Sequence, residues 1–153
     1  MNNPKETMHS SSTEAALLKL SDTVNLRYQK SGHGPPLVLL HTIRTQLEYF
    51  RSLAPLLAEK FTVYAVDMPG HGFSSVDTTH EYDEPYLRWG IVEFLKRLDL
   101  RDVTLVGESI GAVVALTVAA EVPSASRRST HPIPTTTRHD TGMEFAAVTG
   151  SPM

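Results

Sequence analysis

Apolar residues fall along this chain in short blocks of two different periods, and the blocks mark out its elements. Residues 24–29 alternate apolar and polar side chains, which predicts a half-exposed strand; residues 31–36, with two glycines and two prolines, are a dense turn signal. Residues 37–40 are apolar without a break and residues 61–66 nearly so, the way strands covered on both faces of a parallel sheet read. Between them Leu47, Phe50, Ala54 and Leu57 recur at helical spacing, behind a Thr45 and Glu48 pair spaced as a capping box. A second helix is predicted after Asp83, Glu84 and Pro85, which supply a cap, an acidic first turn and an early proline; Leu87, Ile91, Phe94, Leu95 and Leu98 mark its buried face. Residues 103–106 form another apolar strand, and residues 112–121 are apolar nearly all round, as in a buried helix.

Repeated strand, helix and strand predict an α/β fold with a mostly parallel sheet and flanking helices. The domain so defined runs from residue 22 to 123. Residues 1–21 are polar around a short apolar patch at 15–18, which predicts a mobile lead with at most a turn of helix. Residues 124–141 have neither period and little large apolar content, so residues 124–153 are expected to be a low-complexity, disordered tail. Met143, Phe145 and Val148 lie within it, in a stretch too short to extend the sheet.

Composition narrows the partners. A formal net charge of -3 and a pI near 6.1 give no broad attraction to nucleic acid or to an anionic membrane. No stretch approaches the ~20 apolar residues of a membrane span, and residues 1–13 lack the apolar core of a signal peptide, so a cytoplasmic protein is expected. The absence of cysteine removes disulfides, thiolate catalysis and cysteine-based metal sites. Neither a metal nor a cofactor is expected.

The chemistry concentrates at Gly107-Glu108-Ser109-Ile110-Gly111, where the last apolar strand gives way to helical sequence. A serine hydroxyl is a poor nucleophile unless it is held clear of the sheet, beside a base and near amide donors. Gly107 and Gly111 lack a Cβ and let the chain turn sharply there, so Ser109 is the candidate nucleophile and the Ile110 amide a candidate oxyanion donor. His41, Asp67 and Ser109 all fall at or just beyond strand ends, where ligands gather in such sheets.

Over residues 24–123 the chain resembles the α/β-hydrolase family through three segments in the family's order. Leu39-Leu40-His41-Thr42 resembles the His-Gly oxyanion segment, with Thr42 where Gly is usual. Residues 67–74, Asp67 through Pro69, Gly70, Gly72 and Ser74, resemble the D-x-P-G-x-G-x-S loop, and Gly107 to Gly111 is the elbow. The resemblance implies that Ser109 is the nucleophile and that the Ile43 and Ile110 amides form the oxyanion hole. It also implies a small-molecule acyl substrate, a carboxylic ester or a relative of one, cleaved through an acyl-enzyme, rather than the chemistry of the family's aspartate-nucleophile branches. Glu108 is expected to face away from the reaction.

The family's acid and histidine follow the serine on later strands, and here the tail supplies neither in a patterned context. His131 and His139 lie in that tail; His41 and His71 read as structural, Asp67 as an anchor for its turn, and Ser74 and Ser75 as turn residues. The change of character near Pro123 suggests a truncation or a lost reading frame. Truncation would leave the edge of the last strand unpaired, open to self-association, and the helix after Ser109 half covered. The competing reading is therefore a non-catalytic fragment or pseudoenzyme that binds a small ligand or pairs with another chain. Nucleotide binding fails on detail, since Gly70 and Gly72 do not form a G-x-G-x-x-G and no lysine follows Gly111.

Overall fold

The computed structural model describes residues 14–121 and the backbone of residues 145–147. Six strands form one sheet: β1 (Ala15–Lys19), β2 (Asn25–Ser31), β3 (Pro36–Leu40), β4 (Thr62–Val66), β5 (Thr104–Gly107) and β6 (Phe145–Ala147), in the spatial order β1-β2-β4-β3-β5-β6. β1 and β2 form an antiparallel pair, β2 is antiparallel to β4, and β4, β3, β5 and β6 run parallel. The helices are α1 (Ala54–Leu57), α2 (Glu84–Arg97) and α3 (Ile110–Glu121), with a 3-10 turn at Leu47–Phe50.

Although β3 and β4 are apolar throughout, their side chains still sort by the period of two. Leu37, Leu39, Val63 and Ala65 face a small core closed by Leu47 and Phe50. Val38, Leu40, Tyr64 and Val66 face a larger core with Leu87, Ile91 and Phe94 of α2 and Val114 and Val118 of α3. Each such side chain contributes about 1.5–3 kcal/mol by leaving water, and together they hold the helices against the strands. α2 begins as its sequence predicts: the Asp83 carboxylate accepts from the Tyr86 amide at 3.1 Å, and Pro85 sits in the first turn. At its other end Arg97 donates to the Leu20 carbonyl at 2.7 Å, fastening α2 to the β1–β2 hairpin.

Four expectations are corrected or refined. Ala15–Lys19, read as part of a mobile lead with a turn of helix, is a strand paired along its whole length with β2. Backbone donors and acceptors on the edge of β2 need partners, and this segment supplies them while Leu20 enters the core. The capping box does not form. Thr45 donates its hydroxyl to the Thr42 carbonyl, Glu48 pairs with Arg27, and Pro55 helps divide the expected single helix into the 3-10 turn and α1. The edge of β5 is not bare, because β6 pairs with Leu105 to Gly107 within the segment expected to be disordered. α3 is covered on one face among the described residues, with Val113 and Leu116 exposed on the other. The readings of residues 1–13 and of the rest of the tail, including His131 and His139, lie outside the described residues.

Candidate active site

The connection leaving β3 leads to β4 on one side, and the next returns past β3 to β5 on the other. Such a reversal opens a crevice at the carboxyl ends of the two strands that flank it, here β3 and β5.

On the β5 side only Glu108 and Ser109 separate the strand from α3. The Glu108 amide donates to the Leu40 carbonyl at 3.1 Å, prolonging the β3–β5 ladder by one step, and Ser109 then turns with φ of 55°. A left-handed conformation costs a non-glycine residue about 1–2 kcal/mol. Its surroundings hold it there: the Gly111 amide donates to Glu108 O at 2.9 Å and the Val113 amide to Ser109 O at 3.2 Å. Both glycines are sterically required. A Cβ on Gly107 would lie 2.3 Å from the Gly111 carbonyl carbon, and one on Gly111 would lie 2.2 Å from the Leu40 oxygen. The turn leaves the Ser109 side chain exposed. Ile110 opens α3, so its amide has no intrahelical acceptor, and none of the described residues takes it up.

On the β3 side His41 is fully buried, and both of its ring nitrogens are bonded to backbone. Nε2 accepts from the Met68 amide at 3.1 Å, which leaves the proton on Nδ1, 2.7 Å from the Thr42 carbonyl that accepts it. Burial is the main cause lowering the His41 pKa; the bond to Thr42 opposes it and neighbouring His71, its ring centroid 5.2 Å away, adds to it. His41 is thus a neutral strut. The Thr42 carbonyl also accepts from the Thr45 hydroxyl at 2.8 Å. A peptide held by its carbonyl points its N–H the opposite way, because the unit is planar and trans. The Ile43 amide is oriented by these two bonds and meets no acceptor among the described residues. Threonine at 42 brings no backbone strain, since the left-handed residue of this loop is Arg44, with φ of 62°.

Asp67 is buried at the end of β4 and accepts from the Leu47 amide at 2.6 Å, the Phe73 amide at 2.9 Å and Arg27 Nη1 at 3.1 Å. Arg27 also pairs with Glu48, and its guanidinium lies 4.7 Å from the Phe73 ring centre. The Glu48 bond raises the Arg27 pKa, and the same bond lowers that of Glu48. The Ser74 hydroxyl donates to Asp67 O at 2.7 Å and accepts from the Arg27 amide at 2.9 Å, while Ser75 accepts from the Asn25 amide at 3.0 Å. Asp67, Ser74 and Ser75 are therefore occupied in holding β2, β4 and the loop together.

The pairing of Leu40 with Gly107 sets the turn after β3, with Ile43, beside the elbow of Ser109 and Ile110, while Asp67 and His41 are buried supports. His71 bonds the Pro69 carbonyl through Nδ1 at 3.0 Å. Sequence reasoning missed Arg27, Thr45 and Tyr49. Arg27 occupies an alternating strand and gives no signal of its ion pairs, and the Thr45–Glu48 spacing pointed to a local cap instead. Glu108 raises the pKa of the Tyr49 phenol. Among the described residues no group of three or more His, Asp or Glu is placed to hold a metal, and no helix is long and apolar enough to cross a membrane.

The profile of the alpha/beta hydrolase fold family matches residues 35–130. The chain belongs to the α/β-hydrolase family. This α/β-hydrolase chain is 31% identical over 111 residues to the (E)-2-((N-methylformamido)methylene)succinate hydrolase of Acinetobacter baylyi, a match covering 72% of the chain and 42% of that protein. It is 38% identical over 93 residues to the pimeloyl-[acyl-carrier protein] methyl ester esterase of Stenotrophomonas maltophilia, covering 61% of the chain and 34% of the esterase. The crystal structure of E-2-(acetamidomethylene)succinate hydrolase superposes with a TM-score of 0.67 at 28% identity, covering 72% of this chain and 41% of that one. The chain therefore spans less than half the length of these relatives.

Proposed function

We propose that this chain carries the nucleophile and oxyanion-binding half of a serine hydrolase site that cleaves a carboxylic ester or related acyl substrate. The observation that carries the reading is Ser109, held at φ of 55° between β5 and α3 with its side chain exposed. In the reaction Ser109 Oγ attacks the acyl carbon, a general base takes its proton, and the Ile43 and Ile110 amides hold the oxyanion. The alcohol departs with a proton, and water then releases the acid from the acyl-enzyme. Hydrolase relatives support the reaction class, and the Ile110 amide at the positive end of α3, without an acceptor among the described residues, supports the charge placement.

The base is the open part of the site. Among the described residues no histidine bonds Ser109, and His41, at the end of β3, has both nitrogens committed to backbone. The hydrolase reading therefore requires a base from outside the described residues, in this chain or in a second one. That same observation favours an alternative, a pseudoenzyme that binds an acyl ligand without turnover, since oxyanion donors alone give only residual rate enhancement.

Turnover of a short-chain p-nitrophenyl ester separates the two. The hydrolase reading expects saturable hydrolysis that Ser109→Ala lowers by at least ~100-fold. Equal rates for the parent and Ser109→Ala proteins would favour the pseudoenzyme.

A further inference from the structure

Away from the crevice, the β1–β2 turn, the loop before α2 and the first turns of α2 line an open cavity of about 530 Å³. That is within the range of small-molecule sites. None of its lining residues comes from the carboxyl ends of β3 or β5, so it is separate from Ser109.

The wall combines two kinds of chemistry. One is aromatic: Tyr86 stacks with His80, centroids 4.8 Å apart and planes 14° apart, and with Trp89, 5.4 Å and 18°. The other is anionic. Asp77, Glu81 and Asp83 line the cavity, and no lysine or arginine does. Asp77 accepts from the Thr79 hydroxyl and amide and from Thr23, bonds that hold its pKa down to about 2, so it stays charged. His80 Nδ1 lies 3.5 Å from Asp77 Oδ2, and Asp83 caps α2. Glu81 is exposed and has no partner among the described residues. One further feature is unspent: among the described residues the Tyr86 hydroxyl is a buried polar atom without a hydrogen-bond partner, although Tyr86 is 92% buried and forms part of the wall. Such groups are rare in folded proteins and call for a partner.

We propose that this cavity binds an organic cation, an alkylated ammonium carrying an oxygen nearby. Tyr86 is covered by its stacked neighbours, so the half-exposed Trp89 ring attracts such a head through its quadrupole, more strongly than it attracts a neutral group of the same shape. The carboxylates complete the charge match and exclude anions. An oxygen acceptor on the ligand would satisfy the Tyr86 hydroxyl. The site does not depend on the Ser109 chemistry.

The chain has a single tryptophan, Trp89, in the wall, so its emission reports on the cavity directly. The test titrates the full chain with choline and, separately, with 3,3-dimethyl-1-butanol, the neutral molecule of nearly the same shape. Trp89 emission and amide shifts in ¹H–¹⁵N spectra are followed together. Choline should give a saturable change in both, with the neutral alcohol at least about tenfold weaker. Glu81→Lys, at an exposed and unpartnered position, should weaken choline about tenfold or more, and Ser109→Ala should leave it unchanged. Equal binding of the two ligands would make the cavity merely apolar and overturn the proposal. So would the absence of saturable change in both signals, or an undiminished affinity in a folded Glu81→Lys protein.

Discussion

Ser109 is a residue held where its own backbone does not want to be. Its φ of 55° is stabilised by neighbouring hydrogen bonds and by the close approach that Gly107 and Gly111 permit. Glycine would occupy the same conformation without a Cβ penalty, so Ser109→Gly should be more stable than Ser109→Ala by about 1 kcal/mol, read as a difference in urea midpoints. Equal midpoints would mean that the turn carries no strain. His41 makes a second residue-scale case. Its folded pKa lies below the unfolded value of 6.5, so the folded state binds fewer protons as pH falls through that region. Its contribution is complete above about pH 6.5 and diminishes as pH drops from there toward the folded pKa. Unfolding measured from pH 8 to 5 should show that loss, and His41→Gln, though less stable at pH 8, should show a shallower slope. At this scale the sequence was highly legible, because a glycine that must lack a Cβ and a serine between two such glycines are both visible as letters.

Elements were less legible, for reasons that particular residues make plain. The capping-box spacing of Thr45 and Glu48 is a local signal, yet both side chains are claimed by partners distant in sequence or outside the helix: Glu48 by Arg27, and Thr45 by the Thr42 carbonyl. β1 is five residues long beside a polar lead, and its pairing is set by β2 rather than by its own pattern. α2, by contrast, carries its start signal within four residues and forms as read. What joins the elements is the buried carboxylate of Asp67, which bonds the 3-10 turn, the loop after β4, and Arg27 of β2 at once. Removing one member of a buried pair leaves the other uncompensated, so Asp67→Ala should cost about 3–5 kcal/mol in chemical denaturation. A loss below 1 kcal/mol would mean that water replaces the carboxylate without penalty.

At the scale of the whole molecule, strand order decides where chemistry is possible. β3 stands between β4 and β5, and this reversal puts the His41-Thr42-Ile43 turn beside the elbow. The parallel sheet was readable from its apolar runs, but β6 was not, since three residues in a polar tail carry no period. The apolar pattern of α3 promised burial on every side; among the described residues one face is covered and Val113 and Leu116 remain exposed. The chain spans 42% of the length of its Acinetobacter relative, and its described residues hold the elbow after β5 and the turn after β3. The most direct test is to treat the folded chain with a fluorophosphonate probe and locate the adduct by mass spectrometry. A single adduct on Ser109, absent from Ser109→Ala, is the expected result. A folded chain that takes up no probe, or takes it up at another residue, would contradict the assignment of Ser109 as an activated nucleophile.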